Sequence, residues 1–235
     1  MRKSWVLVLD SGNGGLYTLG KIKNLLPNEN YLFFMDVLHS PYGNKSAREL
    51  KRLANSIITR FLLLHKIKLV VLACNTLSCV AYDFLVQKFQ NVPIIKIEPY
   101  LNAKKFLGKN TLVLDTKNTI RRNQNLKKYR NSKNVFLKAF GNLAKKIDQN
   151  INNLDSLQNL LNFALKKYKK HNIKNVVLGC THFNLIKRQI CKSLGGEVTF
   201  FENSNLVAKQ VREALIKNNT LSKSKTPGTT LILKK

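Results

Sequence analysis

Two segments of this 235-residue chain repeat one frame. VVLACNT (70–76) and VVLGCTH (176–182) both read Val-Val-Leu, a small residue, Cys, then two polar residues. A short, continuous apolar run rich in Val suits a strand buried on both faces. Such strands belong to parallel sheets covered by helices. The repeat therefore predicts two α/β units, each with a cysteine at the carboxyl end of a buried strand, where a helix begins. Ligands bind along that edge in open parallel sheets.

The rest of the chain follows the same plan. WVLVLD (5–10), YLFFMD (31–36), KLVVLAC (68–74) and VPIIKIEP (92–99) read as strands. Between the second and third, Ser46 to His65 carries Leu50, Leu53, Ile57, Ile58 and Phe61 at helical spacing. The pattern restarts with TLVLDT (111–116) and NVFLKAF (134–140), then a helix from Leu154 to Lys170, the strand NVVLGC (175–180) and a short strand from Glu197 to Phe201. Ser204 to Asn218 reads as an amphipathic helix, and TPGTTLILKK (226–235) as a final edge strand or a frayed tail. The Glu98-Pro99 step marks the crossing between units, and the chain returns near Ser204. The expected domains are 1–98 with 205–235, and 99–204. No low-complexity linker separates them, so they should be tightly apposed.

Composition narrows the function classes. Hydrophobic residues make up 44% of the chain, as in a folded globular protein. No apolar run approaches the ~18 residues of a membrane helix. The run from Trp5 to Leu9 is too short for a secretory h-region. A cytoplasmic protein with reduced cysteines is expected. The net charge of +29 has two readings. One is nucleic-acid binding through phosphate neutralisation. The other is a Lys- and Asn-rich composition without a specific anionic partner. Cys74, Cys79, Cys180 and Cys191 form no CxxC pair, and no metal-ligand spacing is present. Cys79 and Cys191 lack the repeated frame and are expected inside helices.

Several groups converge on the predicted edge. DSGNGGL (10–16) places Asp10 and Ser11 there, followed by glycines that let amides approach a small anion. It matches neither GxGxxG nor a phosphate loop with its lysine, and a plain turn is the alternative. HSPYGNKS (39–46) offers Tyr42 and the Gly43 amide to a carboxylate, or is a structural turn. His182 follows Cys180 by two residues, close enough to help a thiol ionise. A Cys-His hydrolase would leave the second cysteine unexplained. Inverting a carbon centre needs a base on one face and an acid on the other. Two like thiols on facing units suit that need. Either cysteine taken alone reads first as a buried small residue, and it is the matched pair that points to a site.

The motifs DSGNGGL, SPYGNKS, ACNT, IEP and GCTHF, in this order over nearly the whole chain, resemble those of the bacterial glutamate racemases, in the aspartate/glutamate racemase superfamily. The resemblance implies two parallel-sheet α/β domains related by a pseudo-twofold, with the active site between them. It implies cofactor-independent interconversion of L- and D-glutamate, with Cys74 and Cys180 as the two bases and Asp10 and His182 assisting. Asp10, Ser11, Tyr42, Gly43, Asn75, Thr76, Thr116, Thr119, Thr181 and His182 would hold the amino acid. The family's D-glutamate feeds peptidoglycan. Partners implied are glutamate, a second copy of the chain as a homodimer, and DNA gyrase or nucleic acid for the basic segment 117–146, which has ten cations and no acid. A racemase for aspartate or another acidic amino acid, and a binding protein with little activity, are the alternatives. The chain departs from the family pattern at Asn13, Met35, Asn118 and Asn184, and AFGNL (139–143) stands where a Cys-Pro element is expected.

Overall fold

The computed structural model describes residues 3–106 and 108–235. β1 (Ser4–Asp10), β2 (Tyr31–Met35), β3 (Lys66–Leu72) and β4 (Ile94–Lys96) join the C-terminal β9 (Thr230–Lys234) in one sheet, ordered β4-β3-β1-β2-β9. β5 (Thr111–Thr116), β6 (Val135–Phe140), β7 (Asn175–Leu178) and β8 (Thr199–Phe201) form a second, ordered β6-β5-β7-β8. The pairings in both sheets are parallel. Two all-parallel α/β sheets are the architecture expected from the repeat. The tail is an edge strand, with Tyr31 to Met35 paired to Thr230 to Lys234.

The continuous apolar runs are explained by two-sided cover. α1 (Gly14–Leu25) and α10 (Ser204–Lys217) lie on one face of the first sheet, where Leu19, Ile22, Val207 and Val211 meet Val6, Val8, Leu69 and Val71. α2 (Ala47–Leu64) and α3 (Asn75–Lys88) cover the other face, where Leu50, Ile58, Leu77 and Ala81 meet Leu7, Leu9, Val70 and Leu72. Alternate strand residues point to opposite faces, so both sets must be apolar. Each such side chain contributes about 1.5–3 kcal/mol when fully buried. In α2, Ser46 accepts from the Glu49 amide at 3.2 Å and caps the helix, a contact typically worth about 1 kcal/mol. The predicted apolar face is the one buried, with Ile57 at its half-buried margin.

The second sheet carries α4 (Ala103–Phe106), α5 (Lys117–Arg122), α6 (Gln124–Lys127), α7 (Leu143–Gln149), α8 (Gln158–Leu165) and α9 (Lys187–Leu194). Here one expectation is corrected. The single helix from Leu154 to Lys170 is three pieces: a 3-10 turn at Leu154–Leu157, α8, and a 3-10 segment at Lys166–His171 ending on Asn172 with φ of 44°. Leu157, Leu161 and Leu165 recur every fourth residue, but the next buried side chain, Tyr168, comes after three. Tightening to three residues per turn keeps Tyr168 inward, edge-on to Phe136 at 6.2 Å. It also separates Lys166 from Lys170, a like-charge pair that an α-helix would stack. Among the described residues, no helix is long and apolar enough to cross a membrane.

Strand register places the functional edge of each sheet. Leu9 pairs with Leu72, and the Ala73 amide donates to the Leu9 carbonyl at 2.9 Å. Leu114 pairs with Leu178, and the Gly179 amide donates to the Leu114 carbonyl at 2.8 Å. Asp10 therefore lies beside Ala73, and Asp115 beside Gly179. Cys74 and Cys180 follow at equivalent positions, one residue beyond each.

Candidate active site

Both cysteines sit where a strand gives way to a helix. Cys74 is the N-cap of α3, and Cys180 caps a 3-10 helix, Thr181–Ile186. Cys79 and Cys191 lie within α3 and α9, as expected. Cys74 and Cys180 are buried and line one cavity of about 10 Å3 between the two sheets. Ser11, Tyr42, Gly43, Thr76, Thr116 and His182 complete its polar and backbone wall. Phe140 and Phe183, in edge contact at 5.7 Å, close its apolar side. That volume suits about one water molecule, so an amino acid enters only if the two units part. A larger cleft of about 360 Å3 lies between β4 and α10, lined by Tyr82, Lys96, Leu206 and Glu213 among others, with no cysteine or histidine.

The units are joined across the cleft by side chains that were expected to hold substrate. Thr181 Oγ1 donates to Asp10 Oδ2 at 2.9 Å. The hydroxyls of Thr76 and Thr116 are 2.9 Å apart, and Thr119 lies 3.0 Å from Thr116 and 3.4 Å from Thr76. Asn75 is buried beside Cys74 with its Oδ1 unpartnered. Gly43 is pressed against Thr116: a Cβ there would lie 3.0 Å from the threonine Cβ. Tyr42 is not a surface residue. It is fully buried, and its hydroxyl donates to Asp36 Oδ2 at 2.6 Å, so it offers the cavity a ring rather than a free hydroxyl. Asp36 also meets His39 Nδ1 at 2.7 Å.

Charge is distributed unevenly. Burial pushes the Asp10 carboxyl from its ordinary 3.8 up to about 6, although the charge of His182, the Thr181 hydroxyl and the Ser11 amide pull it down. Burial also raises the Cys74 thiol, with the Asp10 charge adding to it; the Leu77 and Thr76 amides at the helix start and the Ser11 hydroxyl oppose this. The Cys180 thiol is raised well above its ordinary value, again by burial first, then by the charges of Cys74 and Asp115. Burial acts to lower His182, yet its hydrogen bond to Asp148 and the charges of Asp10 and Asp148 leave it raised on balance. The cation so favoured lies beside Cys180, with Nδ1 3.9 Å from the sulfur.

Three acids here were not singled out in the sequence. Asp148 Oδ2 meets His182 Nε2 at 2.9 Å, while its Oδ1 accepts from Asn13 Nδ2 at 3.0 Å. Asp36 fixes Tyr42. Asp115 is fully buried; its Oδ1 accepts from the Thr116 amide at 2.7 Å and its Oδ2 has no partner. A usable signal for Asp115 was spacing: 64 positions separate Asp10 from Cys74, and 65 separate Asp115 from Cys180. No comparable signal marks Asp148. Two departures from the family pattern prove to be cross-cleft contacts: Asn13 holds Asp148, and Asn118 Nδ2 donates to the Lys45 carbonyl at 2.8 Å. Asn184 donates to the Thr181 carbonyl at 3.3 Å. Among the described residues, no group of three or more His, Cys, Asp or Glu is arranged to hold a metal ion.

No protein-family model matches the chain. Whole-chain relatives do. A glutamate racemase of Clostridium novyi is 35% identical over 228 residues, spanning 95% of this chain and 88% of the relative. The crystal structure of the glutamate racemase isoform RacE1 from Bacillus anthracis superposes with a TM-score of 0.80 at 26% identity, covering 100% of this chain and 89% of its own. The glutamate racemase of Francisella tularensis in complex with D-glutamate superposes with a TM-score of 0.77 at 25% identity, over 99% of this chain and 88% of its own.

Proposed function

The chain belongs to the glutamate racemase family of isomerases, and from that premise we propose that it interconverts L- and D-glutamate by a two-base mechanism using Cys74 and Cys180. The observation that carries this is the pair of buried cysteines at equivalent strand ends of facing sheets, lining one cavity. The two units, 1–98 with 205–235 and 99–204, act as jaws that part to admit the substrate.

The thiolate of one cysteine removes the α-proton, and the thiol of the other returns a proton to the opposite face. The roles exchange for the other enantiomer. Burial holds both cysteines as thiols in the closed cavity, so forming one thiolate requires nearby help. On the Cys74 side, the Ser11 hydroxyl eases ionisation and bonds Asp10 at 3.3 Å, and Asp10 titrates close to neutrality and can take the proton. On the Cys180 side, the His182 cation stabilises the sulfur's negative charge while Asp148 holds the ring in place. The hydroxyls of Thr76, Thr116, Thr119 and Thr181, with Ser11, Asn75 and the Gly43 backbone, exchange their mutual contacts for the substrate's charged ends. D-glutamate made this way supplies peptidoglycan precursors.

The test is α-proton exchange from each enantiomer in deuterium oxide without added cofactor, followed by circular dichroism. Cys74→Ser and Cys180→Ser should each abolish racemisation, a loss of about 10³-fold or more. Wild-type turnover in both variants would sink the two-base reading.

A further inference from the structure

Asp115 has no part in the mechanism above, yet it repeats the placement of Asp10 in the other unit. Asp10 ends its strand and Asp115 stands one residue before the end of its own, each one position past a leucine paired with the cysteine-bearing strand. Each accepts a hydrogen bond from the amide of the next residue, at 2.5 Å for Asp10 and 2.7 Å for Asp115. Both are fully buried. The neighbouring residue on the cysteine strand is small in both units, and at Gly179 the reason is visible. A Cβ there would collide with Asp115 Oδ2.

The match breaks at the second oxygen. Asp10 Oδ2 accepts from Thr181, the residue after the opposite unit's cysteine. The equivalent residue on the other side is Asn75, and both Asn75 Oδ1 and Asp115 Oδ2 are buried without a partner. A fully buried carboxyl oxygen without a partner favours the protonated form of Asp115. We propose that Asp115 is a positioning residue for the reaction, a carboxyl packed against Gly179, the residue before Cys180, that sets how firmly this cysteine keeps its proton, as the second unit's counterpart of Asp10.

The direction follows from charge. Burial raises Asp115 well above the ordinary carboxyl range, while the Thr116 amide and the nearby Thr119 hydroxyl oppose the rise. In its acid form it leaves Cys180 free to ionise. Once ionised at higher pH, it opposes a thiolate on Cys180 and preserves the thiol that the reaction needs as its acid. The other titratable groups acting on Cys180 are Cys74, Asp10 and His182, and Asp115 also acts on Cys79 of α3.

This inference rests on the two-cysteine reading and is tested separately from it. The pH profile of kcat/KM for glutamate is measured from about pH 6 to pH 10 on the full chain and on Asp115→Asn, Asp115→Ser and Asp115→Glu. Asn preserves the shape, and Ser serves if Asn does not fold. Both neutral variants should move the alkaline limb down by about half a pH unit or more, and Glu should restore it. A purely packing role would lower the whole profile without moving the limb. A limb that stays in place, or moves up, in the folded neutral variant overturns the assignment. Cys180→Ser is run alongside. If it is active, the two-cysteine reading has failed; if it is inactive while the limb stays in place, only the Asp115 assignment has failed.

Discussion

Replacing Asp10 with Asn should make the folded protein more stable at alkaline pH and no more stable at acid pH, although it should impair racemisation. Asp10 is fully buried, and its carboxyl is raised from 3.8 to about 6. A raised folded value means that the native state holds the proton more tightly than the unfolded chain. The stability so gained is fully present below about pH 4 and is lost as pH rises through about 6. Above that, the buried carboxylate costs the fold roughly 1.4 kcal/mol for each pH unit of difference. Two units give about 3 kcal/mol. Asn resembles the protonated acid: its Oδ1 keeps the Ser11 amide bond, and the Thr181 hydroxyl rotates to accept from Nδ2. The gain should fall short of the full value, because the Asp10 charge also supports His182 as a cation. Unfolding by urea or heat at about pH 4 and pH 8, wild type against variant, reads the difference of differences and cancels the titrations that do not couple to Asp10. An expected gain of about 1–3 kcal/mol corresponds to a melting shift of roughly 2–4 °C per kcal/mol at this chain length. Equal effects at both pH values, or a greater loss at alkaline pH, would refute the reasoning.

Asp148→Asn removes the charge and bond that outweigh burial at His182. The imidazole's titration midpoint, followed by NMR, should fall, and turnover near neutral pH should fall with it. Gly14→Ala places a Cβ 2.5 Å from the His182 amide and 2.7 Å from its Nδ1, so kcat/KM should drop about tenfold or more for a displacement of this kind. Gly20→Ala, in the same helix with nothing within 4 Å, is the control that should retain activity and gain about 0.5–1 kcal/mol in stability. Thr76→Val strips one hydroxyl from the three-threonine cluster while Thr116 and Thr119 stay bonded. Stability should fall by about 1 kcal/mol, and KM for glutamate should rise, with unchanged KM arguing against a substrate role.

What was legible in the sequence is what depends on local rules. A strand buried on both faces must be apolar at every position, so VVLAC and VVLGC declared themselves, and Cys74 and Cys180 came with them. Ser46 before Leu50 announced α2 because a cap and a face are both local. Asp148 was hidden for the opposite reason. It meets His182 across 34 positions of chain, and nothing about an acid after a basic stretch says which imidazole it will face. The tie of Tyr42 to Asp36 was hidden too: a Pro-Tyr-Gly turn does not say that an acid six residues earlier will accept from the tyrosine hydroxyl. Asn13 and Asn118 looked like losses from a family pattern because a pattern records residue types and not partners. In this chain each asparagine bonds a group on the opposite unit, to Asp148 and to the Lys45 carbonyl. The substitutions bear on how the two units close, since those bonds and the Thr181–Asp10 bond cross the same cleft, the one proposed above to admit glutamate. Opening it exposes Asp10 to water and removes the burial that raises it, so the carboxyl should release its proton as the jaws part and regain it as they shut. Cys74 shares that burial, so its thiol should likewise lose its proton more readily with the jaws parted than with them shut.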